Sequence, residues 1–149
     1  MNSAARILES EEAVAAAVRV IRVVAVIGMK PGVDPYAPAY RIPIVLTELG
    51  IRVIPVNPNY SSIDGRRCYA AVADVPEPFD TVDLFRAPRF IPGHAAEILA
   101  LPSERRPRLV WMQSGIRHDE AAASLADAGI QVVQDRCLGV YAARYRAGD

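Results

Sequence analysis

Lysine is almost absent from this 149-residue chain: of its 17 basic residues only Lys30 is a lysine, the others being arginine. Cysteine is as scarce, with Cys68 and Cys137 alone, which excludes a disulfide framework and a cysteine-built metal cluster. Two histidines, His94 and His118, leave few ligands for zinc, so no metal is expected. There is no charge surplus either. The 17 basic residues are balanced by 17 acidic ones, which removes the sequence-independent pull toward nucleic acid. No uncharged apolar run reaches the roughly 18 residues that span a bilayer; the longest candidate, around Ala13–Gly28, is broken by Arg19 and Arg22. The amino terminus, with Arg6 followed by Glu9, Glu11 and Glu12, lacks the apolar core and small-residue cleavage site of a signal peptide. The expectation is a cytoplasmic, metal-free protein with no nucleic-acid partner and no membrane attachment.

What is present is the composition of a folded α/β protein, with 52% hydrophobic and 23% charged residues. Short β-branched runs recur at Arg22–Gly28, Arg52–Val56, Thr81–Phe85, Arg108–Met112 and Gln131–Val133. Runs so poor in polar residues read as strands buried on both faces, hence as a parallel sheet covered by helices. Between them lie helical stretches: an amino-terminal helix capped by Ser10 and running to about Arg19, then about Tyr40–Leu49, Tyr69–Ala73, Gly93–Leu101, Asp119–Ala128 and Leu138–Arg144. Gly50 and Gly129 are their stop residues, Pro43 is expected in a first turn, and Asp119 is a candidate cap. The pattern predicts a doubly wound, three-layer α/β fold over residues 1–149 as a single domain, with the first 20 residues packed on it as a helix.

In open α/β sheets a ligand sits outside the carboxyl ends of the strands. The first such end leads into a long loop, Gly28 to Ala39, holding two glycines, three prolines and the sole lysine. Gly28 permits a sharp turn and a close backbone approach, and the helix after it turns its free N–H groups into the same crevice. The loop is not the dinucleotide fingerprint, because GxGxxG would need glycines where Lys30 and Val33 stand. The acid that would hold a ribose diol is replaced by Asn57. Lys30, Arg41 and Arg86 make a local cationic site, opposed mainly by Asp34, and that favours a small polyanion.

Five segments carry a family resemblance. Val24-Ala25-Val26-Ile27-Gly28, Val53 to Pro58, Asp83-Leu84-Phe85-Arg86, Val110 to Gly115 and Asp135-Arg136-Cys137 together resemble the stand-alone CoA-binding domain proteins, similar in fold to the amino-terminal domain of the succinyl-CoA synthetase alpha subunit. The resemblance implies a Rossmann-type five-stranded parallel sheet of order 3-2-1-4-5 that binds coenzyme A or an acyl-CoA. It implies Gly28, Met29 and Lys30 along the diphosphate, with Tyr40 and Arg41 at the following helix. Val56, Asn57 and Pro58 would flank the adenosine, Phe85 and Arg86 the next strand end, and Gln113, Ser114 and Gly115 the pantetheine path. The synthetase's phosphorylated histidine and ATP-grasp partner have no counterpart in this chain, and fold does not carry activity across that gap.

No catalytic constellation emerges from the residues. Cys137 and Cys68 read as structural thiols, His118 as a loop histidine beside a helix cap, and His94 as part of a helix's first turn. Asp80 and Asp83, three apart on a strand, fall on opposite faces and cannot pair. The expectation is a CoA binder acting as carrier, sensor or regulator. Two alternatives stay open: a small NAD(P)-dependent oxidoreductase or nucleotide-modifying enzyme using the same crevice, and an interaction module with a vestigial pocket.

Overall fold

The computed structural model describes residues 3–146; residues 1–2 and 147–149, which the expected domain bounds include, lie outside the described residues. Among the described residues, seven strands and five α-helices follow in the order α1 (Glu11–Arg19), β1 (Val23–Ile27), α2 (Pro38–Glu48), β2 (Arg52–Val56), β3 (Ser62–Ile63), β4 (Arg66–Arg67), β5 (Thr81–Leu84), α3 (Ile91–Leu99), β6 (Leu109–Met112), α4 (Asp119–Asp127), β7 (Gln131–Val133) and α5 (Leu138–Arg146). Five of the strands form one parallel sheet in the order β2-β1-β5-β6-β7. β3 and β4 are a separate two-residue hairpin that turns at Asp64-Gly65.

Each margin of the sheet ends in one bridged residue. Beyond β2, Tyr69 donates its N–H to the Pro55 carbonyl at 3.1 Å and accepts from the Asn57 N–H at 2.8 Å, as a parallel bridge to Val56. Beyond β7, Ile7 bridges Val132, and the Leu8 N–H reaches the Val132 carbonyl at 2.8 Å. With the Tyr69 segment in third place the sheet reads 3-2-1-4-5 from that margin and runs on to a sixth position, whereas the five full strands alone read 2-1-3-4-5. Tyr69 thus fills the outer place that the expected order gives to the third strand, and β5 stands on the inner side of β1. The helix expected over Tyr69–Ala73 is not formed: that stretch is bridge and bend, followed by a single 3-10 turn at Val72–Asp74.

The period of two along each strand builds two cores. Ala25, Ile27, Val82, Leu84, Val110 and Met112 meet Ile91, Ile98 and Leu125 from α3 and α4. Val24, Val26, Trp111 and Val133 meet Val14, Val18, Leu46 and Leu138 from α1, α2 and α5. Burying a side chain of this size stabilises the fold by roughly 1.5–3 kcal/mol. α1 is held to α5 by more than packing: Glu11 accepts from Tyr141, Tyr145 and Arg144, and the hydrogen bonds from the two tyrosines lower its carboxyl below the usual range.

Helix ends show where local rules were overridden. Ser10 caps α1 as expected, its hydroxyl accepting from the Ala13 N–H at 3.1 Å. α4 is capped by His118 instead of Asp119: Nδ1 accepts from the Ala121 N–H at 3.1 Å, which leaves that nitrogen unprotonated. α2 starts two residues before Tyr40, with Pro38 in its first turn, and Pro43 therefore falls inside the helix. Having no N–H, Pro43 cannot serve the carbonyl of Ala39 four residues back; the N–H of Lys30 takes that carbonyl at 3.2 Å.

Candidate functional site

The loop after β1 is shaped by close contacts at two glycines. Gly28 has φ +89°, and a Cβ there would lie 2.4 Å from the carbonyl oxygen of Phe85, so β1 and β5 end too close together for any other residue. Gly32 lies on the Tyr40 ring, where a Cβ would come within 2.9 Å of the ring carbons. Tyr40 thus braces the loop from α2. Asp34 folds the loop tip by accepting from the Tyr36 N–H at 3.1 Å, and Arg41 turns to the Pro35 carbonyl at 3.5 Å.

Asn57, at the end of β2, is buried, and each end of its amide is engaged. Its Nδ2 donates to the Met29 carbonyl at 3.0 Å and its Oδ1 accepts from the Asn59 N–H at 2.9 Å. It staples the first loop to the second strand end. Met29 and Val56 are buried in the cores, while Pro58 is exposed. Cys68 lies beneath, its Sγ 3.4 Å from the Asn57 carbonyl, and burial pushes its thiol up.

The central strand ends carry the polar interior. Asp83 is wholly buried, in register between Val26 and Trp111. Burial pushes its carboxyl up to about 7, opposed by hydrogen bonds from Gln113 and from the Leu84 N–H. Nε2 of Gln113 reaches the two oxygens of Asp83 at 2.8 and 3.0 Å. The next loop is tied to the last strand by Asp135, whose Oδ1 accepts from the Gly115 N–H at 2.6 Å, while the Asp135 N–H donates to the Ile116 carbonyl at 3.0 Å. Trp111 donates its indole N–H to the Arg136 carbonyl at 2.7 Å. These bonds fix the two residues just before Cys137.

At the carboxyl ends of β1, β5 and β6 these segments enclose a cavity of about 530 Å³. Of the expected site residues it brings together Lys30, Phe85, Arg86, Gln113, Ser114 and Gly115. Gly28, Met29, Tyr40, Arg41, Val56, Asn57 and Pro58 are not among its lining residues; most of them build the walls from behind. The remaining wall comes from Ala37, Pro38, Ala39 and Ile42 at the start of α2, from Ala87, Pro88 and Ile116, and from Cys137. Cys137, read from the sequence as a structural thiol, is free, half-buried and faces this space. Its place after a strand's carboxyl end was the signal.

Lys30 and Arg86 are the two cations of the lining, and no carboxylate shares it. The Arg86 guanidinium stacks 4.2 Å from the Phe90 ring centroid, and its buried Nε has no hydrogen-bond partner. α2 begins beside the cavity at Ala37, with no side-chain cap on its first N–H groups, so the positive end of its dipole adds to the two cations. The rest of the lining is mostly apolar. Such a space suits a ligand with an anionic part and a long, weakly polar part. A second cavity, about 430 Å³, lies along the outer edge of β2 between Arg52, Arg66, Tyr69 and Glu77, away from the strand ends, and Arg52 and Glu77 pair across it at 2.7 Å.

Comparison with known proteins decides the family: residues 22–143 match the CoA binding domain. The chain belongs to the CoA-binding domain family. This CoA-binding domain is 39% identical to a solved structure from Thermus thermophilus, with 92% of this chain and 99% of that one covered and a TM-score of 0.80. An uncharacterized protein of Bacillus subtilis (strain 168) is 28% identical over 117 residues, 78% of this chain and 82% of its own length. The fold is also that of part of a larger protein, the dinucleotide-forming acetyl-coenzyme A synthetase 1 of Candidatus Korarchaeum cryptofilum. It is 20% identical at a TM-score of 0.64, and 76% of this chain matches 26% of that one.

Proposed function

We propose that this chain binds coenzyme A, or an acyl-CoA, in the cavity at the strand ends. The observation that carries the reading is the lining itself, two cations and a helix amino terminus at one side with no opposing carboxylate and an apolar remainder, in a member of the CoA-binding domain family. Lys30 and the first turn of α2 would hold the diphosphate; Gln113, Ser114 and Gly115 would border the pantetheine arm, whose thiol end points toward Cys137. Arg86, the second cation of the lining, adds its charge for an anionic group. Gly28, Met29 and Asn57 support the phosphate loop from behind, and Pro58 is the exposed residue on the adenosine side. The role is that of a cytoplasmic carrier, sensor or regulator of acyl groups.

Both ends of the Asn57 amide are committed internally and no acid stands there to hold a ribose diol, which weighs against a nicotinamide dinucleotide. Isothermal titration with CoA, dephospho-CoA and NAD tests the reading. CoA is expected to bind tightest; tighter binding of NAD would overturn it.

A further inference from the structure

Gln113 lines the cavity but is only 3% exposed, and Asp83 behind it is 0% exposed. Nε2 of Gln113 is committed to both oxygens of Asp83 at 2.8 and 3.0 Å. Among the described residues Oε1 of Gln113 makes no hydrogen bond, yet it is not one of the sealed, partnerless atoms, which belong to Arg86, His94, Arg106 and Arg146. It therefore keeps open surface, and the cavity is the space that Gln113 lines.

A carboxamide has chemically opposite ends, a donor and an acceptor of almost the same shape. Which end a glutamine shows to a ligand is decided by what holds the other. An ionised carboxylate offers acceptors alone, and Nε2 stands within reach of both Asp83 oxygens, so the carboxylate selects the NH₂ end. We infer that Asp83, which touches no ligand space, is a positioning residue that makes Gln113 present a hydrogen-bond acceptor to whatever fills the cavity. The complementary ligand group is an N–H donor in an apolar surrounding, the chemistry of a secondary amide. Burying such an N–H unpaired is costly, so a single placed acceptor discriminates strongly. On the CoA reading, which this inference deepens, the donor is an amide of the pantetheine arm.

Titration of three ligands separates the possibilities: CoA, pantetheine, which keeps the amides without the nucleotide, and adenosine 3′,5′-bisphosphate, which has no amide. Gln113→Met keeps length and removes the acceptor. It is expected to weaken CoA and pantetheine about fivefold to tenfold, the worth of one hydrogen bond, and to leave the bisphosphate unchanged. Asp83→Asn supplies a donor of its own, which can bond Oε1 and turn Nε2 outward; the same ligand-selective loss is expected although residue 83 never reaches the cavity. Equal weakening of all three ligands, or CoA affinity unchanged in Gln113→Met, would overturn the inference while leaving the CoA reading in place. A wild-type chain that binds neither CoA nor pantetheine overturns both. Should Asp83→Asn fold poorly, Gln113→Met alone still decides the matter, because it keeps the buried carboxyl.

Discussion

The N–H of Lys30 is bonded to the carbonyl of Ala39 at 3.2 Å, a carbonyl that is free for it because Pro43 stands where the helical donor would be. The proline inside α2 thus gives up a helical bond and gains a tether on the loop that carries the cavity's lysine. Pro43→Ala restores the competing N–H. The expected result is faster amide hydrogen exchange at Lys30 and CoA binding weaker by about threefold, within the net worth of one hydrogen bond. Exchange at Lys30 as slow as in wild type would show that the tether does not depend on the proline.

Lys30 is also the flexible point charge of the site, exposed at the cavity's rim. Lys30→Ala should weaken CoA about fivefold in low salt, with the difference shrinking as salt screens an exposed charge. Arg19→Ala, on α1 and stacked over Tyr145, should change nothing. A Lys30→Ala affinity equal to wild type at both salt concentrations would remove Lys30 from the site.

Two glycines with similar φ separate packing from conformation. Gly28 (φ +89°) would place a Cβ 2.4 Å from the Phe85 carbonyl oxygen, whereas Gly50 (φ +84°) has nothing within 4 Å. Gly50→Ala should cost about 1–2 kcal/mol, the left-handed backbone penalty. Gly28→Ala should cost about 3 kcal/mol or more, since main chain must also move. Urea denaturation of the two variants measures the difference.

Asp83 gives the stability a pH dependence whose sign is fixed. Its carboxyl, at about 7 in the fold, lies near 4 in an unfolded chain. The folded state therefore keeps a proton that the unfolded chain releases, and stability falls as pH rises from about 4 to 7, by at most ~4 kcal/mol. Asp83→Asn abolishes that titration. Between pH 5 and 8 the wild type should lose roughly 2–3 kcal/mol more than the variant in urea unfolding; parallel pH profiles would count against the burial argument.

Cys137 lines the cavity and Cys68 is buried with its thiol pushed up. Saturating CoA is expected to slow alkylation of Cys137 about tenfold, while Cys68 reacts only on unfolding. Mass spectrometry of the two cysteines after timed iodoacetamide reads both. Alkylation of Cys137 at the same rate with and without CoA would place the ligand elsewhere.

Much of this is legible in the sequence alone. The strands announced themselves because a strand buried on both faces has no room for polar residues, and β1 and β6 are such runs. The loop from Gly28 to Ala39 is legible because it follows a strand's carboxyl end, and Lys30 within it lines the cavity. The cavity's far wall was not legible, since Cys137 and Ile42 come to it from distant segments. Nor was the burial of Asp83, because a carboxylate in a strand reads as surface until a partner such as Gln113 is seen. At helix ends the general rule yielded to a specific partner. His118 displaced Asp119 as the cap of α4, and Pro43 was tolerated inside α2 because the Lys30 N–H was at hand. The alanine-rich stretch after Tyr69 reads as helix by propensity, yet the open edge of β2 captured Tyr69 first.

That capture, matched by Ile7 at the opposite margin, bears on how the protein behaves in a crowded solution. A parallel sheet with bare margins is a template for any passing strand. Here Tyr69 already occupies the Pro55 carbonyl and the Asn57 N–H, Pro55 has no N–H to offer, and Leu8 covers the Val132 carbonyl. Two single-residue bridges thus occupy outward backbone groups at both margins of the sheet, without spending a full strand on either flank.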